Sequence, residues 1–315
     1  MSIPSYLRDI TEEASAGLLN EPIGREKEIA QILSIISQEG KSNVLVLGPA
    51  GVGKTAIIEG LAVKIVNNEI PDNFPKRRIY ELDVTSIISG TTYRGEFEQK
   101  VKEFLSFAKK NNDAIIFIDE IHTVIGLGKT SGSGGSGDMS QMLKPALARG
   151  EFTCIGATTM EEYNMYVLPD GAFARRFHNI NLLPPSKEDL FQILKRSSIK
   201  SGLTYGIELS DSSINSIIEV SDELFPNRNQ PDKGLDLLKR ILAFYSLQNK
   251  GRNAEMSDAR LVDYAEYLEV ELKLLKNNQH SKLIDKAMEW LGVKQNVIDK
   301  VTIDKHDIFK IINSQ

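Results

Sequence analysis

The segment VLVLGPAGVGKT, residues 44–55, decides the fold of this chain, because it joins a short apolar run to a glycine-rich turn. Its second part, GPAGVGKT, satisfies the GxxxxGK[S/T] pattern of a phosphate-binding P-loop, with a predicted strand before it and a predicted helix after it. Glycines let backbone N–H groups turn toward phosphates, and the helix N-terminus adds partial positive charge. The alternative is a plain glycine turn between a strand and a helix.

The P-loop pattern also assigns roles to individual side chains. Lys54 is predicted to reach the β and γ oxygens of a bound nucleotide, and Thr55 to place its hydroxyl on Mg²⁺. The residues predicted to contact the nucleotide in this loop are Pro49, Ala50, Gly51, Val52, Gly53, Lys54, Thr55 and Ala56.

The stretch IIFIDE, residues 115–120, has the pattern expected for the other half of such a site. An apolar strand would deliver Asp119 to the carboxyl edge of the sheet, where its carboxylate can hold Mg²⁺ together with Thr55. Glu120 follows at once and is predicted to accept a proton from the attacking water or to orient that water. The alternative for both acids is an exposed strand end.

The alternation of apolar runs and helix-period segments between residues 43 and 183 predicts an α/β fold with a mainly parallel sheet flanked by helices. After the prolines of LPPSKEDL, residues 183–190, the pattern is helical only. We therefore expect four parts: a lead-in segment at 1–20, a large α/β subdomain at 21–185, a small all-α subdomain at 186–250, and a helical C-terminal extension at 251–315.

Composition narrows the classes of function. The formal net charge is -5 and the pI is about 5.6, which gives no basic field for nucleic acid or an anionic membrane, so neither partner is expected. The single cysteine, Cys154, excludes internal disulfides, and no long apolar run or signal-peptide core is present, so a cytoplasmic location is expected. His122, His178, His280 and His306 show no metal-ligand spacing and are interpreted as structural or exposed.

Beyond the P-loop, the chain resembles the first ATPase ring of Clp-type AAA+ unfoldases over residues 7 to about 240. The resemblance implies an AAA+ core with a small α-helical lid, Mg²⁺ and ATP as ligands, ATP hydrolysis, and a homohexameric ring. The strings that carry it, in the order and spacing of that family, are LLNEPIGREKEI, GPAGVGKTAIIEGLA, GTTYRGEFEQKVK, IIFIDEIHTVIGLG, MLKPALARGEFTCIGATT, AFARRF and QPDKGLDLL.

The same resemblance implies further site residues. Thr159 is similar to the family's γ-phosphate sensor, with a simple strand-end hydroxyl as the alternative. Arg175 and Arg176 resemble the pair that reaches the nucleotide of the neighbouring subunit, with two surface arginines in a turn as the alternative. The adenine-contacting stretch of the family corresponds to Pro22, Ile23 and Gly24, which an ordinary hydrophobic turn would also explain.

The loop TTYRG, residues 91–95, resembles the substrate-gripping loop of the central channel. There Tyr93, followed by Arg94 and Gly95, would contact an extended protein substrate of any sequence through its ring. The alternative is that Tyr93 packs on its own domain. The predicted partners are therefore further copies of the chain and unfolded, aggregated or assembled proteins. The glycine-serine run at residues 131–138 matches a second channel loop in position, but a flexible linker explains it equally well.

Two departures and one alternative function remain. The lid helix offers Asp232 and Lys233 where AAA+ proteins usually carry a sensing arginine, and Gln141 replaces a common asparagine. The chain contains no second P-loop, so it is either a one-ring relative or the first-ring fragment of a longer protein, and no direct peptidase partner is expected. The alternative function is a nucleotide-switch ATPase in assembly or regulation, including a nucleic-acid loader, without substrate threading.

Overall fold

The computed structural model describes residues 3–38, 42–71, 74, 77–88, 94–111, 113–125, 139–205, 207–248, 299–301 and 308. The chain divides into two compact units, Met1–Leu183 and Pro184–Gln315. In the first unit, helices surround a mostly parallel sheet, which confirms the α/β class predicted from the sequence. The sequence pattern predicts the division between residues 185 and 186, close to the end of the first unit at Leu183.

The first unit is built on a six-stranded sheet with the order β1-β3-β4-β5-β2-β6. Strand β1 pairs antiparallel with β3, and all the other pairs are parallel. Every residue of β2, β4 and β5 is buried, as the continuous apolar runs in the sequence predict for central parallel strands. The strands are β1 (Leu7–Asp9), β2 (Asn43–Leu47), β3 (Arg78–Leu82), β4 (Ala114–Ile118), β5 (Thr153–Thr158) and β6 (Phe177–Asn181).

Side chains alternate across the sheet and feed two separate cores. In β2, Leu45 and Leu47 join the core on one face, while Val44 and Val46 join the core on the other. Helices cover both faces, so both sets of apolar side chains leave water. The helices of this unit are α1 (Ile10–Ser15), α2 (Glu26–Ile36), α3 (Lys54–Val66), α4 (Val84–Ile88), α5 (Arg94–Lys110), α6 (Met139–Arg149), α7 (Met160–Glu162) and α8 (Gly171–Ala174).

The prediction of a separate lead-in segment at residues 1–20 is wrong for the part that forms β1 and α1. Strand β1 is an edge strand of the sheet, where Leu7 pairs with Leu82. Helix α1 packs on α3 and buries Ile10 and Ala14. The segment was hard to recognise because its strand, LRD, is three residues long and two of them are charged.

The second unit is mainly helical and has its own core, which includes Leu194, Ile217 and Leu238. The expectation of helices alone is wrong at two places, because β7 and β8 pair as a two-stranded parallel sheet. Residues 251–298 of the predicted helical extension lie outside the described residues, and residues 299–301 are a strand rather than a helix. The elements are α9 (Lys187–Tyr205), β7 (Ile207–Leu209), α10 (Asp211–Leu224), α11 (Asp232–Gln248) and β8 (Asp299–Val301).

Among the helices in the described ranges, none combines the length and the apolar character needed to cross a membrane.

Candidate nucleotide site

The predicted P-loop connects the end of β2 to the start of α3. Gly51 and Gly53 have positive φ angles of 76° and 98°, a backbone region that favours glycine. At Gly48 the reason for glycine is space, since an added Cβ would lie 2.8 Å from the Leu182 carbonyl oxygen. The loop therefore needs glycine at Gly48 and Gly53, the two glycine positions of the pattern, and also at Gly51, for two different physical reasons.

Lys54 begins α3 and is buried, with 8% of its surface exposed. Its Nζ donates hydrogen bonds to the backbone carbonyls of Gly48, at 3.1 Å, and Pro49, at 3.3 Å. Within the described ranges, no carboxylate lies at ion-pair distance from this ammonium group. A buried cation held only by neutral carbonyls is suited to an anionic ligand, because burial without a counter-charge is unfavourable.

Thr55 and Asp119 bring two oxygen atoms together from different elements. Thr55, in the first turn of α3, donates its hydroxyl hydrogen to Asp119 Oδ2 at 2.9 Å. Asp119 follows β4 at the carboxyl edge of the sheet, and its Oδ1 accepts from the Glu120 backbone N–H at 2.9 Å. Hydroxyl and carboxylate oxygens are the ligand type that Mg²⁺ prefers, so the donor set at this position fits that ion.

Glu120 lies next to this pair in a strained conformation. Its φ and ψ are both 48°, in the left-handed region that non-glycine residues rarely adopt. The side chain is 49% exposed, and the carboxylates of Glu162 and Asp119 lie near it. Burial raises the pKa of Glu120 above its ordinary value, and the carboxylates of Glu162 and Asp119 add to the rise. A raised pKa moves a carboxylate toward the range useful for accepting a proton at neutral pH.

A cluster that the sequence analysis missed surrounds Glu120. His122 lies in the 3₁₀ turn Ile121–Val124, and its Nδ1 is 3.3 Å from both Glu120 Oε2 and Glu162 Oε2. The same Nδ1 is 3.0 Å from Thr158 Oγ1, and the ring stacks on Tyr166 with a centroid distance of 5.6 Å. The interpretation of His122 as merely structural or exposed is therefore incomplete, because this side chain contacts the predicted base.

Ligand atoms of Glu120, His122 and Glu162 lie within 4.8 Å of one another, which is close enough for a metal ion. Hydrogen bonds also join part of this cluster, since the Thr158 hydroxyl donates to Glu162 Oε2 at 2.9 Å and lies 3.0 Å from His122 Nδ1. Burial raises the pKa of Glu162, but hydrogen bonds from Thr159 and Thr158 outweigh this effect and hold the pKa below its ordinary value. No local pattern indicated this network, because its two parts, residues 120–122 and 158–162, are distant in the chain.

Thr159 follows β5, which lies between β4 and β2 in the sheet. Its hydroxyl caps α7 by accepting from the Glu162 backbone N–H at 3.2 Å, and its own N–H donates to the Glu162 carboxylate at 3.0 Å. This reciprocal capping box fixes the turn between β5 and α7. The predicted sensor position is thus joined through Glu162 to the cluster around Glu120.

The predicted adenine-contacting stretch lies against the P-loop helix. A Cβ added to Gly60 of α3 would collide with Pro22 Cδ, so the proline ring packs directly against the backbone of α3. Gly24 has a φ of 68°, and the buried Arg25 beside it donates to the Val52 carbonyl at 3.1 Å. The segment Pro22–Gly24 is therefore fixed beside the phosphate-binding loop.

Arg175 and Arg176 follow α8, whose start is capped by the Asp170 carboxylate accepting from the Phe173 N–H at 3.1 Å. Arg175 is exposed and Arg176 is half-buried. In the part of the chain that the structure describes, neither guanidinium has a hydrogen-bond acceptor. A salt bridge of 2.6 Å between Lys144 of α6 and Asp170 fixes the segment that carries them.

The structure does not bring these arginines to the P-loop of their own chain. Strand β6 starts at Phe177, which pairs with Asn43 at the start of β2, and the Asn43 side chain donates to the Arg176 carbonyl at 3.2 Å. The P-loop begins beyond Leu47, at the other end of β2, which is about 13 Å away for a strand of this length. Both arginines therefore lie at the amino end of the parallel strands, whereas Lys54 follows the carboxyl end of β2.

The predicted channel loop is described in part. Tyr93 and the glycine-serine run lie outside the described residues. Arg94 and Gly95 form the first turn of α5, and a Cβ added at Gly95 would have open space around it. Their predicted role remains a prediction.

In the second unit, the residues at the predicted sensing position are already paired within that unit. Lys233 is buried, and its Nζ lies 2.9 Å from Asp222 Oδ1 and donates to the Phe225 carbonyl at 3.2 Å. Asp232 pairs with Arg228 at 2.8 Å.

Two family models match the chain. Residues 44–184 match the ATPase family associated with various cellular activities (AAA), and residues 186–290 match an AAA lid domain. The junction of the two matches lies close to the boundary between the two compact units.

Bacterial chaperones are similar to nearly the whole chain. The chaperone protein ClpB of Bdellovibrio bacteriovorus is 36% identical over 300 residues, which is 93% of this chain and 34% of the relative. ClpB of Rickettsia bellii is 39% identical over 317 residues, which is 94% of this chain and 36% of the relative. The chain thus spans about a third of the length of these curated relatives.

Solved structures of Hsp104 share the fold. The Saccharomyces cerevisiae Hsp104-ADP complex has a TM-score of 0.71 at 31% identity, over 91% of this chain and 41% of that chain. A closed-state cryo-EM reconstruction of Hsp104 with ATPγS and FITC casein has a TM-score of 0.70 at 35% identity, over 78% of this chain and 42% of that chain.

Proposed function

Because this chain belongs to the Clp-type AAA+ ATPases, we propose that it uses ATP hydrolysis to unfold, remodel or disaggregate protein substrates as part of a homohexameric ring. ATP hydrolysis is the activity that the matched ATPase family carries. The ring, the substrates and the threading mechanism belong to the proposal, since the chain spans about a third of its ClpB relatives.

The first unit would bind the nucleotide with residues that the fold already brings together. The P-loop backbone and Lys54 would hold the phosphates, and Pro22–Gly24 would lie against the base. Thr55 and Asp119 would hold Mg²⁺, whose charge neutralises negative charge on the phosphates. The buried ammonium of Lys54 and the hydroxyl-carboxylate pair beside it are the observation that carries this part of the proposal.

Glu120 would act as the base that takes a proton from the attacking water or orients it. Its raised pKa and its position beside Asp119 support this role. Thr159, fixed by its capping box with Glu162, would sense the γ-phosphate from the neighbouring strand end.

The arginines would complete the site of a second copy. Because Arg175 and Arg176 lie at the opposite end of the sheet from their own P-loop, a role at a nucleotide requires the nucleotide of a neighbour. Neither guanidinium group has an acceptor in the described ranges, which suits this role, since positive charge supplied in trans stabilises the transferring phosphoryl group.

The substrate end of the proposal is supported by relatives. The Hsp104 structures that share this fold include two with casein. By analogy, Tyr93, Arg94 and Gly95 would contact an unfolded protein in a central channel. We propose a cytoplasmic location, which suits a chain whose single cysteine, Cys154, is buried.

Substitution of the base tests the central step. Glu120→Gln should retain ATP affinity but hydrolyse ATP at least about 100-fold more slowly, because the amide cannot accept the proton. Affinity is measured by calorimetry and turnover by phosphate release. The matched control is Glu161→Gln, which changes an exposed glutamate on α7 and should keep full turnover. Wild-type turnover in Glu120→Gln would contradict the assignment of the base.

Mixing experiments test the role in trans. Arg175→Ala chains should be inactive alone and regain part of their activity when mixed with Lys54→Met chains, since each supplies what the other lacks. Phosphate release is measured across a series of mixing ratios. A mixture no more active than its components would argue against a shared site.

A further inference from the structure

The Glu120 side chain needs support to act at one position. It is 49% exposed, and it extends from a residue with positive φ between a strand and a short 3₁₀ turn. A half-exposed carboxylate of this kind can adopt several rotamers, yet a base must stay within hydrogen-bond reach of the water it activates. His122 Nδ1 lies 3.3 Å from Oε2 of this carboxylate.

The hydrogen on His122 can be assigned from its surroundings. Nδ1 faces the carboxylates of Glu120 and Glu162, each at 3.3 Å, and the Thr158 hydroxyl oxygen at 3.0 Å. The Thr158 hydroxyl hydrogen is already donated to Glu162 at 2.9 Å. None of these three oxygens can donate to Nδ1, so Nδ1 carries the hydrogen, which it donates to Thr158 Oγ1 while both carboxylates lie beside it.

His122 is itself fixed from two sides. The Tyr166 ring stacks on the imidazole at an interplanar angle of 24° and a centroid distance of 5.6 Å. Tyr166 belongs to the π-helical turn Tyr163–Val167, which follows the capping box of Thr159 and Glu162 directly. The imidazole is thus joined to the strand end that carries the predicted sensor, as well as to the base.

We propose that His122 is a positioning residue that holds Glu120 in its working rotamer and links it to the turn after β5. Glu162 and Tyr166 set the orientation of the imidazole. This inference rests on the proposed function, because it assigns a support for the base of ATP hydrolysis. Loss of His122 would leave nucleotide binding intact while the base leaves its position, and displacement of a reacting group by about 1 Å can cost about 100-fold in rate.

Steady-state ATP hydrolysis by the 315-residue chain tests the proposal. His122→Ala should lower kcat about 10- to 100-fold and change KM for ATP less than about threefold. His122→Asn should recover most of the lost kcat, because its amide N–H can occupy the position of Nδ1–H. The matched control is Thr123→Ala, which alters an exposed side chain of the same 3₁₀ turn and should leave both constants unchanged.

Three results would overturn the inference: a wild-type kcat in His122→Ala, equal damage in the alanine and asparagine variants, or a KM that rises in step with the fall in kcat. The proposed function fails separately, if Glu120→Gln keeps its turnover. If Glu120→Gln is inactive and His122→Ala is fully active, then the base assignment stands and the positioning role does not.

A second substitution guards against a His122 variant that folds poorly. Tyr166 is 45% exposed, so its truncation leaves the cores unchanged. Tyr166→Ala should lower kcat about 3- to 10-fold, while Tyr166→Phe, which keeps the stacked ring, should retain the wild-type value. Equal kcat in Tyr166→Ala and wild type would show that the stacked ring does not support the base.

Discussion

Lys54 in the first unit and Lys233 in the second are buried to a similar extent, with 8% and 6% of their surface exposed, but their ammonium groups have different partners. Among the described residues, Lys54 donates to carbonyls of the P-loop and has no carboxylate at ion-pair distance, whereas Lys233 has the Asp222 carboxylate 2.9 Å away. A buried lysine with its own carboxylate stabilises the fold around it. A buried lysine without one is suited to a negatively charged ligand, so the partner distinguishes a structural lysine from a binding one.

The largest effect should follow removal of the unpaired charge. We expect Lys54→Met to weaken binding of an ATP analogue about 100-fold, or about 3 kcal/mol, because a charge-assisted contact to phosphate is lost. Its free energy of unfolding should fall by less than about 1 kcal/mol, because two hydrogen bonds to carbonyls are lost but the cost of burying the charge is removed with them. Calorimetry and urea unfolding measure the two quantities. Lys233→Met is the control and should bind the analogue with wild-type affinity; a matching loss there would remove the distinction between the two lysines.

A smaller effect should follow removal of the carboxylate in the second unit. Asp222→Ala leaves the buried Lys233 ammonium without its counter-charge and should lower the free energy of unfolding by about 2 kcal/mol. Lys233→Met should cost less than about 1 kcal/mol, because it removes the buried charge itself and keeps most of the packing volume. Urea unfolding of both variants gives the comparison, and a larger loss in Lys233→Met would reverse our interpretation of the pair.

The smallest effect should be the pH dependence of the stability that the Asp222 carboxylate contributes. Burial raises the pKa of Asp222, but the hydrogen bonds from Lys233 and Gln230 outweigh it and hold this pKa below the ordinary value of 3.8. A carboxyl with a lowered folded pKa adds stability above its unfolded pKa and loses that contribution as the pH falls through the folded value. The side chain is 55% exposed, so the contribution is modest.

The stability difference between wild type and Asp222→Asn should therefore be constant near neutral pH and shrink below about pH 4. Urea unfolding at a series of pH values measures this difference. A difference that grows as the pH falls would contradict the assigned direction of the pKa shift.

Much of the first unit could be predicted from local pattern. The strands β2, β4 and β5 were recognisable because central parallel strands are apolar along their length. The P-loop was recognisable because its backbone conformation requires glycine at fixed positions of a short pattern. The fold also brings Thr55 and Asp119 into contact, although they are 64 positions apart, as two strand ends of one sheet predict.

The parts that could not be predicted depend on contacts without a local pattern. Thr158 and His122 are 36 positions apart, and neither residue type in its own segment signals the other. Strand β7 pairs with β8 far along the chain, so its three residues resemble a break between helices. In both cases, the residues are distant in the chain and meet only once the backbone has folded, so no local pattern indicates the contact.

The register of β6 against β2 affects how turnover should depend on protein concentration. If Arg175 acts at a nucleotide as we propose, one molecule would offer each half of the site but could not close it alone, because Arg175 and the P-loop lie at opposite ends of the strands. Turnover per molecule would then rise with the amount of protein and level off once every molecule has a neighbour. An excess of inactive copies would suppress the active ones out of proportion to their share, so the quantity of this protein would act as a control on its rate.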